Sequence, residues 1–382
     1  MRLAKFFLGI LLLFSIVFGC SNSDRKTSQN GDAVQLVLDS LVSANELPGA
    51  NFSLIFSDLT EQNYSAGLAD MEMDKKMTSG HVLFSGSIGK TYAVALLMQM
   101  LDRDLFSLDD KLLDHFPDKP WLNRLPNMEK ITIRMLLQHT SGLPEYVMQA
   151  ATWDSLSTNP DKIWTYYDRM EIIFDHASVH EPGKGWAYSD TNYILLGMLI
   201  ERLSQRTYYE LLSTELLIPE NLWHTYAAIR RDREGLPQGY SKLPEMFRMP
   251  PRVVDMGNFV FNPQMEWTGG GLVSSTSDLA KWARIYYSGS LFSSSLQQEI
   301  ITPSSQGLHL DTNMSYGMGS FIYQTNFGPA YAHTGFVPGF NSIFAYYPEL
   351  NVAVAFQANC DFASRHMALI EYLDILLAEL EK

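Results

Sequence analysis

Apolar and alternating runs bounded by turn residues lie at both ends of the chain, over 51–56 and 62–68 early and over 319–324, 342–347 and 352–357 late, and they predict strands. Between them apolar positions recur at helical spacing, over 91–98, 133–139, 163–169, 192–204, 208–217 and 278–287, and a last amphipathic helix is predicted over 364–381. The tight connection Pro348-Glu349-Leu350-Asn351 between two late runs implies antiparallel pairing. This order predicts an α/β (α+β) fold in which an antiparallel sheet, built from both termini and flanked by helices, carries an inserted, mostly helical lobe. A cleft between two such lobes is a common place for a binding site.

The amino terminus departs from that pattern. Arg2 and Lys5 precede an apolar run over 6–18 that is too short to span a bilayer, so residues 1–19 read as an export signal. Gly19-Cys20-Ser21 at its end resembles the bacterial lipobox, which implies cleavage before Cys20 and acylation of its thiol. The mature protein is then expected to be held to a membrane of the bacterial envelope, on its periplasmic or cell-surface face, by a lipid on Cys20. The stretch 21–32 is rich in Ser, Asn, Asp and Lys and reads as a flexible tether, giving a tether over 20–33 and a folded body over 34–382.

Cys360 is the single cysteine of that body, so no internal disulfide is expected, and its apolar surroundings give it a buried structural role. With 382 residues, 46% of them hydrophobic, the chain has ample material for a core. Its formal net charge of −14 excludes nucleic acid as a partner.

The most telling chemistry is Ser87-Ile88-Gly89-Lys90. A serine hydroxyl is a weak nucleophile at neutral pH and needs an adjacent base, which a lysine one helical turn away supplies if its pKa is lowered. The apolar helical pattern that follows puts Ser87 near a helix N-terminus, where developing negative charge is favoured. A P-loop is ruled out because Phe84 stands where its first glycine belongs. A nucleophile elbow is half met, with Ser85 in place of one glycine and Gly89 supplying the other.

Two further groups stand later in the chain. Tyr188-Ser189-Asp190 ends a Gly- and Pro-containing turn just before an apolar helix, and a tyrosine beside a lysine cation can work as a phenolate base. His333-Thr334-Gly335, after the short run Ala330-Tyr331-Ala332, offers a hydroxyl, an imidazole and bare backbone at a strand edge, a wall for an extended substrate.

In this order the three groups resemble the active-site elements of the serine β-lactamase and penicillin-binding superfamily, specifically its class C β-lactamase-like branch, which also contains DD-peptidases, esterases and D-amino-acid peptidases. Residues 131–143, ending in His139-Thr140-Ser141-Gly142-Leu143, and 269–282, opening with Gly269-Gly270-Gly271, resemble the same branch, and the likeness runs over roughly 35–380.

The resemblance implies a β-lactamase/transpeptidase-like fold, with the α/β lobe about 34–90 and 268–382 and the helical lobe about 91–267. It implies that Ser87 attacks a carbonyl to give an acyl-enzyme while Lys90 and Tyr188 share the proton transfers. The backbone N–H groups of Ser87 and Phe336 would form the oxyanion hole, and Thr334 would line the wall that holds the substrate.

Two positions depart from the lactamase pattern. His333 stands where lysine is usual and anchors a carboxylate less firmly, which weighs against an efficient β-lactamase. Asp190 replaces asparagine; it can pair with Lys90, raise that ammonium's pKa and push the base role towards Tyr188. His139 reads as structural, and Trp186 either shapes the pocket or packs. His176 and His180, with Glu181 as the only obvious third ligand, read as a solvated helix end, so no metal and no cofactor is expected.

The expectation is therefore an exported serine hydrolase taking a small-molecule or peptide substrate, possible sources including peptidoglycan. DD-carboxypeptidase-like and esterase activities rank above β-lactamase activity. A catalytically silent penicillin-binding-like surface protein that recognises cell-wall fragments is the alternative.

Overall fold

The computed structural model describes residues 22–289, 291–361 and 366–380. The expected export signal over 1–19 and Cys20 lie outside the described residues.

Eight strands form the main sheet: β1 (Gly49–Ile55), β2 (Glu61–Asp70), β3 (Lys75–Lys76), β4 (Met314–Tyr316), β5 (Phe321–Thr325), β6 (Gly328–Val337), β7 (Phe340–Tyr347) and β8 (Val352–Ala358). Their order is β3-β2-β1-β8-β7-β6-β5-β4, antiparallel throughout, so the first and last strands of the chain meet in the middle of the sheet.

Helices cover both faces. On one side α1 (Asn22–Ala44) and α5 (His366–Leu377) bring Val34, Leu38, Leu373 and Leu376 into one cluster with Phe52, Leu54, Val354 and Phe356. On the other, α4 (Thr276–Ser288) packs Leu279, Trp282 and Ala283 with Ala353 and Ala355. Strands β1 and β8 are consequently buried at every position, the polar Asn51 and Ser53 of β1 included.

The rest of the core is helical. The helix α2 (Gly89–Leu101) is buried on almost its whole circumference, as expected of a helix that is apolar all round. It packs against α3 (Asp190–Ser204), which is also buried from Thr191 to Ile200. A small sheet of Leu83–Phe84, Leu272–Ser274 and Thr225–Ala227 ties the chain just before Ser87 to the chain just after Gly269-Gly270-Gly271.

The structure differs from the sequence reading in three places. From Asn22 onward the expected tether belongs to α1: the stripe Val34, Leu38 and Val42 anchors the helix on the sheet, and extending a formed helix is far easier than starting one. His176 and His180 lie in a loop, not at a helix end, because the short helical turn Glu171–Ile173 stops before Asp175, which takes a left-handed φ of 61°. The short run at Ala330 is part of a ten-residue strand, β6, whose pairing with β7 overrides the weak local signal of Gly328, Pro329 and Gly335.

Candidate active site

Strand Leu83–Phe84 delivers the chain into a single turn, Gly86–Ile88, from which α2 starts at Gly89. Ser87 sits in that turn, at the head of the buried helix. Gly86 has φ +52°, and a Cβ there would meet Phe336 N at 2.5 Å; a Cβ on Gly335 would meet Ser85 O at 1.8 Å. Only bare backbone allows β6 to lie this close to the nucleophile turn. Ser342 fixes the approach by donating to Ser85 O at 2.7 Å, and Ser85 donates to Leu272 O at 3.0 Å. The amide of Phe336 is thereby brought beside the Gly86–Ser87 peptide, the arrangement an oxyanion hole needs.

Lys90 has no solvent exposure, and each of its three donors is engaged. It donates to Ser87 Oγ at 3.0 Å, to Gly269 O at 2.6 Å and to Asp190 Oδ1 in an ion pair. Burial disfavours the ammonium, but the Asp190 carboxylate and the nearby Tyr188 oxygen outweigh it and hold its pKa above the ordinary lysine value. The charged form is therefore the resting one, as the aspartate at position 190 suggested.

Tyr188 completes this floor. Its hydroxyl is buried beside the Ser87 hydroxyl and the Lys90 ammonium, which lies 5.0 Å from its ring centroid. Burial pushes the phenol's pKa up, opposed by the Lys90 charge.

His139 is a supporting residue. Its Nδ1 accepts from Ser189 N at 3.2 Å and lies 3.0 Å from Asn192 Nδ2, its carbonyl accepts from Ala187 N, and its ring stacks 4.3 Å from that of Tyr188. Burial first, then Lys90 and His333, keeps the imidazole well below its usual pKa, so it stays neutral. Residues 139–145 are thus bolted to the loop that carries Tyr188.

The side chains of the β6 group diverge. Thr334 and Phe336 line the cavity, whereas His333 is fully buried behind its wall, among Phe321, Tyr316 and Tyr188, with Nδ1 2.6 Å from Thr334 O. The imidazole is not part of the cavity wall. The pairing of β5 with β6 ends at Phe321 and Ala332, just before the His333-Thr334-Gly335 group.

The cavity in front of Ser87 has a volume of about 500 Å³. Its apolar walls include Trp153, Phe247 and Phe336, and Trp186 is not among its lining residues. Two lining carboxylates were not foreseen from the sequence, Glu145 and Glu266. Glu145 accepts from Val147 N at 2.8 Å and from Asp190 N. Burial, then the charge of Asp190, pushes both acids up to about 8. Each stands a few residues outside a recognisable motif, after Gly142-Leu143 and before Gly269-Gly270-Gly271, and that adjacency was the only available signal. The three glycines have a use too: a Cβ on Gly270 would meet Gly86 C at 2.7 Å, and one on Gly89 would meet Gly270 Cα at 2.9 Å. Among the described residues no group of three or more His, Cys, Asp or Glu could hold a metal ion.

A sequence model of the Beta-lactamase family matches residues 35–378. Penicillin-binding protein 4* of Bacillus subtilis is 24% identical over 308 residues, covering 78% of this chain and 65% of that protein. The putative penicillin-binding protein PbpX of the same organism is 23% identical over 73% of this chain and 62% of its own length. The chain thus spans slightly less than two thirds of these relatives. Among solved structures, D-amino acid amidase from Ochrobactrum anthropi SV3, in complex with L-phenylalanine amide, superposes with a TM-score of 0.77 at 23% identity, covering 92% of this chain and 99% of that one. A D-stereospecific amidohydrolase from a Streptomyces species has a TM-score of 0.75 at 25% identity, over 89% and 97%.

Proposed function

The chain belongs to the Beta-lactamase family, and from that premise we propose that it forms an acyl-enzyme at Ser87 and hydrolyses an amide, peptide or ester carbonyl. One observation carries the reading: Ser87 Oγ is held 3.0 Å from the buried Lys90 ammonium, beside the buried hydroxyl of Tyr188, with the backbone of Phe336 packed against the same turn. Attack by Ser87 on the carbonyl builds negative charge on its oxygen, which the N–H groups of Ser87 and Phe336 receive. The serine proton passes to the Lys90–Tyr188 pair and from there to the leaving group. Because all three Lys90 donors are occupied, a proton must leave that pair before it accepts one, and Asp190 is the carboxylate in contact with it.

Within this reading an amide is favoured over a D-Ala-type peptide with a free carboxylate. Among the described residues no lysine or arginine lines the cavity and His333 is not part of its wall, so none of them offers a cation to a terminal carboxylate. The solved amidase and amidohydrolase lend the same weight. The test is a fluorophosphonate probe: it labels the wild type and not Ser87→Ala. Labelling of neither protein would favour the silent binder of cell-wall fragments.

The amino-terminal pattern supports export and lipid anchoring at Cys20. Incorporation of labelled palmitate by the full chain, lost in Cys20→Ala, tests it.

A further inference from the structure

Glu266 is a buried carboxylate that no group of the described residues answers. It is 8% exposed, lines the cavity, and among the described residues its side chain takes part in no hydrogen bond or ion pair. Two cations are near enough to favour its charge, Lys90 and Arg169, yet every nitrogen they carry already donates elsewhere. Lys90 serves Ser87, Asp190 and Gly269. Arg169 donates to the carbonyls of Met265, Trp164 and Gln264 at 2.8, 2.9 and 2.7 Å. A carboxylate withdrawn from water without a partner is unfavourable, and in a cavity its missing partner is most simply a cationic ligand.

Position identifies which cation. A Cβ built on Gly270 would fall 3.0 Å from Glu266 Oε2 and 2.7 Å from the carbonyl carbon of Gly86, the atom bonded to Ser87 N. The Glu266 oxygen therefore lies no further from the oxyanion-hole peptide than the sum of those two distances. A cation bound by Glu266 lies in the same cavity as Ser87 and near its turn, and the α-amino group is the charge of an acyl donor that stands nearest the carbonyl under attack.

We propose that Glu266, with Glu145 lining the same cavity, binds the protonated α-amino group of the acyl donor, so that the substrates are amides or peptides with a free α-ammonium on the acylating residue. Burial and the charge of Asp190 make both acids reluctant to ionise in the empty cavity, and an arriving cation removes that reluctance. The aromatic walls Trp153, Phe247 and Phe336 suit a large apolar side chain on the same residue. This inference rests on the acyl-enzyme reading of Ser87.

The test compares kcat/KM for phenylalanine amide, in both enantiomers, with that for 3-phenylpropanamide, which lacks only the amine. The wild type is expected to prefer the better amine-bearing enantiomer by roughly 100-fold. In Glu266→Gln that ratio falls by roughly 30-fold, chiefly through KM, and Glu266→Asp restores part of it. A wild type that treats the two compounds alike, or a ratio unchanged in Glu266→Gln, overturns the proposal. If Glu266→Gln does not fold, calorimetric binding of the same two compounds to Ser87→Ala reads the preference directly, and equal affinities overturn it. Ser87-dependent labelling with no amine preference removes the amine site alone; absence of labelling removes the acyl-enzyme reading and this inference with it.

Discussion

The turn at Ser87 and the segment Pro263–Gly269 each enclose a buried cation, and the two are neutralised in opposite ways. At the turn, Lys90 faces a carboxylate and the nucleophile, and its charge is reinforced by Asp190. In the segment, Arg169 is 1% exposed, donates to three main-chain carbonyls, lies over Trp267 with its guanidinium carbon 5.6 Å from that ring's centroid, and burial lowers its pKa. The lysine is placed where its charge can act on reacting atoms. The arginine staples the chain that carries Trp267, which takes a φ of 41°, a strained value for a large side chain, and Glu266 beside it. A buried charge thus indicates function only when its partners lie at a cavity; otherwise it indicates architecture.

Removing each partner separates these uses. Ser87→Ala should lower kcat on any hydrolysed substrate by about 10⁴-fold or more, and Lys90→Met should approach that loss, both read from steady-state rates on folded protein. Arg169→Met should instead cost roughly 3–5 kcal/mol of stability in denaturant unfolding, because three buried carbonyls lose their donor, while kcat per folded molecule changes less than about tenfold. A kinetically dead but stable Arg169→Met would erase the contrast. Asp190→Asn leaves Lys90 with a neutral partner and should change kcat/KM by roughly 10- to 100-fold to different extents on amides and esters, with a smaller effect on stability. Equal losses on every substrate would sink that expectation.

The smallest expected effect concerns pH. Glu145 and Glu266 have folded pKa values near 8, raised above the ordinary glutamate value, so between about pH 4.5 and 8 the unfolded chain gives up protons that the folded one keeps. Stability should decline across that window and level off above it. Glu266→Gln removes part of the decline and should be more stable than wild type above pH 8 by roughly 1–3 kcal/mol, with little difference near pH 4. A wild-type unfolding free energy that is flat from pH 5 to 8 would count against both buried acids.

Much of the frame was legible because its signals are local. The strands over 51–56 and 352–357 and the helix over 192–204 are long apolar patterns whose type does not depend on their neighbours, and they were found within a few residues of Gly49–Ile55, Val352–Ala358 and Asp190–Ser204. The ten residues of β6 were not, since Gly328, Pro329 and Gly335 are poor strand formers held straight by the partner strand β7. The placing of His333 was missed because its ring is buried among Tyr316, Phe321 and Tyr188, side chains from distant parts of the chain, while Thr334 and Phe336 line the cavity.

The sequence by itself determined the family and the candidate residues: a serine with a lysine one turn on, a tyrosine beside an aspartate, and a family pattern in which those residues recur in order. Each of these is a short-range relation, set by helical spacing or by immediate neighbours. Only the tertiary structure decided what surrounds them, namely that Asp190 neutralises Lys90, that His333 is buried outside the cavity lining, and that Glu145 and Glu266 come to it from distant parts of the chain. Charges act through space, and in a dry cavity they act strongly; their sum at one point depends on which segments folding brings there, and spacing along the chain does not carry that information.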